Sequence, residues 1–108
     1  MNDDHISGPS DLADLVVYND GSVVSRTLEK SQAGTLTVFA FDTGQAISEH
    51  TTPHEAYAHV VDGEIEFQVG GKALIATAGQ ILNLPAEVPH ALKAIQRSKM
   101  LLIMFKTG

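Results

Sequence analysis

Two histidines, His50 and His90, sit in patterns able to organise chemistry. Gly44 leads through a short apolar stretch to His50 and Pro53. Gly79 leads through Ile81-Leu82-Asn83-Leu84 to Pro85, Pro89 and His90. Imidazole is the commonest protein metal ligand and the usual acid or base near neutral pH. Carried on neighbouring strands, two imidazoles can build one site. The chain has no cysteine, which excludes a disulfide framework, a thiolate metal site and a cysteine nucleophile. It has no Gly-x-Ser-x-Gly elbow, and Gly70-Gly71 lies between two strand patterns rather than ahead of a helix, so it is no phosphate loop.

The elements that must position these histidines read as strands. Val23–Leu28 is short and β-branched, and Thr35–Phe41 is rich in strand formers. Tyr57–Val61 runs into Asp62-Gly63 and then Glu64–Val69, which predicts a hairpin across Asp62-Gly63. Ile65, Phe67 and Val69 alternate with Glu64, Glu66 and Gln68, so one face is apolar and the other polar. Gly70-Gly71 predicts a second hairpin, into Lys72–Ala76. Ile81–Leu84, His90–Ile95 and Met100–Lys106 complete an all-β barrel or sandwich of eight to ten strands. Ahead of them, Ser10 as N-cap and Asp11 predict a short helix over residues 10–18, ended by Asn19-Asp20-Gly21. Residues 1–8 read as a loose tail and 9–108 as a single domain.

Composition narrows the function. A net charge of −6 with only 7 Lys+Arg excludes the basic surface that nucleic acid requires. Aromatics are 6% of the chain and tryptophan is absent, so stacking platforms are sparse. No apolar run approaches the roughly 20 residues that span a bilayer, so no membrane partner is expected. The acidic start, Met1-Asn2-Asp3-Asp4, is unlike a secretory signal, and a cytoplasmic location is the expectation.

Taken together, the strand series and the paired Gly…His patterns resemble the cupins, small jelly-roll barrels recognised by two motifs. Counting from Gly44, the family's first histidine falls on His50, its second on Thr52 and its glutamate on Ala56, closed by Gly63. In the second motif Gly79, Pro85 and His90 match, while Glu87 stands at a glycine position and Ala94 at an asparagine. The resemblance covers residues 34–105. It implies a cupin jelly-roll barrel, and it implies a metal site broken at two of its four ligand positions, Thr52 and Ala56.

On a strand, residues two apart share a face, so a His-x-His pair would aim both imidazoles into a barrel. Here the partner of His50 is Thr52, a hydrogen-bonding group rather than a strong ligand. A third metal ligand would come from His54, in the turn beside Pro53, with Glu55 and His59 as alternates; His59 needs a bulge to turn inward. Such a site suits one divalent ion, Zn, Fe, Mn, Ni or Cu. Tyr57, Met104 and Arg26 are further pocket candidates, Arg26 for a substrate carboxylate. Ordinary packing or a surface ion pair is the commoner role for all three. Glu87, between Pro85 and Pro89, reads as a solvated turn residue.

Two functions stay open. One is a metal-dependent enzyme acting on a small oxygenated substrate through His50 and His90. The other is a non-catalytic small-molecule binding or sensing barrel without tight metal. A homodimer is expected as well. Met100–Phe105 is apolar on both strand faces, and both need cover, from a second copy or from the chain's own N-terminal segment.

Overall fold

Alternation of apolar and polar residues produces nine strands among the described residues, Ile6 and 8–106 of this computed structural model. Most of the tail expected over residues 1–8 lies outside them. The strands are β1 (Val23–Lys30), β2 (Gly34–Phe41), β3 (Ala46–His50), β4 (Glu55–Asp62), β5 (Glu64–Val69), β6 (Lys72–Thr77), β7 (Ile81–Leu84), β8 (His90–Ala94) and β9 (Ser98–Phe105). They form two antiparallel sheets, ordered β1-β2-β9-β4-β7 and β3-β8-β5-β6. This is a jelly-roll arrangement, with the core between the sheets. Phe41, Ala58, Val60 and Met100 come from the first sheet, and Ile65, Phe67, Leu92 and Ala94 from the second. Ile65 and Phe67 are buried while Gln68 is exposed, as the period-2 pattern requires.

The two glycine turns behave differently. Gly70-Gly71 closes a true hairpin, with Val69 opposite Lys72. The hairpin expected across Asp62-Gly63 is corrected: β4 belongs to one sheet and β5 to the other, so these residues form a corner between sheets. Asp62 still pairs with Lys99 of β9, and Ile65 already pairs with Ala94 of β8. The corner is tight. Gly63 has φ +84°, and a Cβ there would stand 2.2 Å from the Arg97 carbonyl oxygen. The buried Ser98 hydroxyl fastens the corner, accepting from the Glu64 N–H at 2.9 Å.

The helix expected over residues 10–18 is one 3-10 turn, Leu12–Leu15. Ser10 does not cap it; its hydroxyl donates to the Gly8 carbonyl, and Asp11 at the turn's start makes no side-chain cap. β-branched Val16 and Val17 follow at once and favour extended backbone, which Val16 adopts. The segment lies instead across the outer face of the larger sheet. There Leu12, Leu15, Val16 and Tyr18 pack with Leu28, Val38, Ala40 and Leu101. Lys99 Nζ donates to the Ala13 carbonyl at 2.6 Å, and the Tyr18 hydroxyl donates to Asp62 at 2.6 Å. The N-terminal segment therefore covers part of the second apolar face of β9.

Candidate functional site

His50 ends β3 and His90 begins β8, and the two are direct cross-strand partners. A register shift between Ile47 and His50 breaks the simple alternation, so residues three apart both reach the same cavity. His90 is held on its other side by Val69 of β5. The imidazole centroids lie 4.4 Å apart with the rings at 67°, edge to face.

Both rings are oriented in the same way. His50 Nδ1–H donates to the Ser48 carbonyl at 2.9 Å, and His90 Nδ1–H donates to the Val88 carbonyl at 3.2 Å. A carbonyl only accepts, so each neutral ring carries its proton on Nδ1 and keeps Nε2 as a free acceptor. His50 is exposed and His90 is only 6% exposed, so the pair runs from the surface to the interior. Burial pulls His90 below the ordinary imidazole pKa; the Val88 carbonyl opposes this and neighbouring His50 adds to it.

The cavity beside the two rings has a volume of about 160 Å³. Its walls include Phe39, Ile47, Leu84, Leu92, Met100 and Leu102, and among the described residues the two histidines are the only titratable side chains that line it. These apolar walls were not singled out from the sequence, although Leu92, two residues past His90, shares its face by strand periodicity.

The other candidates fall elsewhere. Arg26 lies on the outer side of the larger sheet, where its Nη1 donates to the Leu15 carbonyl at 3.1 Å and tethers the N-terminal segment. Tyr57 is also on that outer face, 37% exposed, with its ring edge-on to Phe105 at 6.3 Å. Met104 packs against the main core but is not part of the cavity wall. The Thr52 hydroxyl accepts from the His54 N–H at 3.2 Å, and its carbonyl accepts from the Glu87 N–H at 2.8 Å. Thr52 and His54 thus belong to the turn leading into β4, outside the cavity wall.

Glu55 is occupied as a latch. Its carboxylate accepts from Asn83 Nδ2 at 2.7 Å and from the Ala86 N–H at 3.0 Å. The Ala86 bond, then the Asn83 bond, holds its pKa below the ordinary glutamate value. His59 sits between Ile81 and Leu101 in the pairing of β4 with β7 and β9, and no bulge turns it inward. Glu87 carries φ +65°, the left-handed conformation that favours the glycine of the motif it replaces.

Among the described residues, no three His, Cys, Asp or Glu side chains are grouped to hold a metal ion. Of the side chains lining the cavity, only the two imidazoles carry nitrogen or oxygen, and each has Nε2 left after its Nδ1 bond. Structural and catalytic sites for Zn or Fe draw on three or more protein ligands. The described residues at the cavity therefore do not complete the metal shell that the resemblance implied.

Residues 37–105 match the cupin domain family. The chain belongs to the cupins. Its fold is shared with a conserved Streptococcus pyogenes protein of unknown function, at 32% identity and a TM-score of 0.90, over 95% of this chain and 90% of that one. A cupin 2 conserved barrel domain protein from Leptotrichia buccalis is 36% identical, with a TM-score of 0.85, over 88% of this chain and 46% of that one. A cupin superfamily protein from Desulfitobacterium hafniense aligns over 94% of each chain with a TM-score of 0.89 and 24% identity, which speaks for the fold alone. No curated protein matches the sequence. Among the described residues no helix is long and apolar enough to cross a membrane.

Proposed function

We propose that this cupin is a small-molecule binding module whose ligand occupies the cavity beside His50 and His90, without a tightly held metal. The observation that carries this reading is the pairing of two oriented imidazoles with otherwise apolar side chains on the walls and, among the described residues, no third ligand side chain. Small-molecule sites are typically apolar with a few fixed polar groups, and this cavity has that composition. The alternative, a metal-dependent enzyme acting on a small oxygenated substrate, draws on one specific feature. Both histidines donate Nδ1–H to a backbone carbonyl, the support that ligating histidines usually have.

Metal content of the protein purified without an affinity tag separates the two. The binding module is expected to carry well under one metal per chain and to keep its thermal midpoint in chelator. One tightly bound metal per chain, lost in His50→Ala, overturns it in favour of the enzyme. We further propose a homodimer that joins the exposed outer faces of two larger sheets.

A further inference from the structure

We propose that the cavity selects a neutral, ring-sized apolar molecule bearing a hydroxyl, and that the hydroxyl donates to Nε2 of His50 or His90. This rests on reading the cavity as a ligand site, and it names the chemical class that site accepts.

Size comes first. The cavity of about 160 Å³ is close to the roughly 150 Å³ of an apolar protein cavity known to hold benzene. One six-membered ring or a short branched chain fills it. Polarity follows from the walls. Phe39, Ile47, Leu84, Leu92, Met100 and Leu102 offer no hydrogen bond of useful strength, and no lysine or arginine lines the space. A carboxylate or phosphate entering here would lose its water without gaining a cation, which is costly.

The histidines decide which polar group is welcome. Each Nδ1–H is already given to a backbone carbonyl, Ser48 for His50 and Val88 for His90. The nitrogen left on each ring is Nε2, which in neutral imidazole only accepts. Among the described residues, the lining side chains thus bring two imidazole acceptors and no donor left unused. A ligand hydroxyl satisfies this arrangement, whereas a ketone or ether, which only accepts, does not.

The test compares three probes of similar shape at about pH 8, where imidazole and phenol are neutral and benzoate is charged. Affinities for phenol, benzene and benzoate are measured by nuclear magnetic resonance titration. Phenol should bind about 2–10-fold more tightly than benzene, the worth of one net hydrogen bond, and more tightly still than benzoate. His50→Phe and His90→Phe together should bring phenol to the affinity of benzene while benzene binding persists, which reports an intact pocket. If His90→Phe fails to fold, His50→Phe alone should still narrow the phenol preference. Equal binding of phenol and benzene, or preferred binding of benzoate, overturns the hydroxyl class but leaves the cavity standing as a ligand site. Failure of all three probes to bind overturns this class and the ligand-site reading together, whereas one tight metal per chain counts against the metal-free reading alone.

Discussion

His90 links the pocket to the stability of the barrel. Burial lowers its pKa from the ordinary 6.5, so the folded chain binds this proton less readily than the unfolded chain does. Above about pH 6.5 both states are neutral here, and the contribution of His90 to stability is fully present. As pH falls below that value the unfolded chain protonates first, and stability is lost down through the folded pKa. The urea midpoint measured in chelator should therefore fall between about pH 7.5 and pH 5.5, and less so in His90→Gln. A wild-type midpoint that holds or rises over this range, or one that His90→Gln follows in parallel, contradicts the assignment. Asp42, held down to about 2 by the Gly21 N–H, the Arg97 side chain and the Thr43 N–H, titrates well below this window. At this scale the sequence showed the two histidines, because a Gly…His spacing survives in the letters. The fates of Arg26 and Glu55 were not legible. Their partners are the Leu15 carbonyl for one, and Asn83 with the Ala86 N–H for the other, contacts that exist only once the chain is folded.

Strand periodicity made β5, β6 and β7 readable almost residue by residue, since local alternation specifies them. The connection between β4 and β5 was misread because Asp-Gly favours a tight reversal locally, whereas which sheet each strand joins is decided by distant partners, Lys99 for Asp62 and Ala94 for Ile65. Two glycines test the difference. Gly63 and Gly71 have nearly the same φ, +84° and +82°, but a Cβ at Gly63 meets the Arg97 carbonyl at 2.2 Å while one at Gly71 meets nothing within 4 Å. Gly71→Ala should lose only the conformational term, about 1 kcal/mol or somewhat more. Gly63→Ala must also displace backbone at the corner and should cost about 2 kcal/mol beyond that. Chemical denaturation of the two variants checks the order, and equal losses would remove the corner from the account. The N-terminal turn was overread for a related reason. Ser10 and Asp11 are good helix starters, but Val16 and Val17 favour extended backbone and the sheet beneath offers Leu28, Val38 and Leu101 to cover.

For the molecule as a whole, the outer face of the larger sheet is one surface that the described residues leave incompletely covered. Among the described residues, the N-terminal segment packs over Val38, Ala40 and Leu101 and leaves Ile81 and Phe105 exposed on the far side. There Ile81 is 58% and Phe105 50% exposed, beside Tyr57, whose ring meets that of Phe105. Leu36 and Tyr57 both pair with Ile103, so these apolar side chains share one face of three adjacent strands, β2, β9 and β4. In the homodimer proposed above, a two-fold pairing would match these exposed apolar side chains to themselves with no second partner required, with His59 lying between Ile81 and Leu101 on the same face. The sequence carried half of this, since Met100–Phe105 is apolar on both faces; that Leu12, Leu15 and Val16 pack over Leu101 could be read only from the fold. Light scattering at micromolar concentration should give twice 11.5 kDa. Ile81→Glu and Phe105→Glu place a charge on the patch at positions already open to water in the single chain, so the barrel should keep its fold. Each should weaken pairing by about tenfold or more, because taking a carboxylate out of water into a largely apolar contact is strongly disfavoured. A wild-type mass of 11.5 kDa, or a dimer that neither substitution loosens, would rule out this face as the contact.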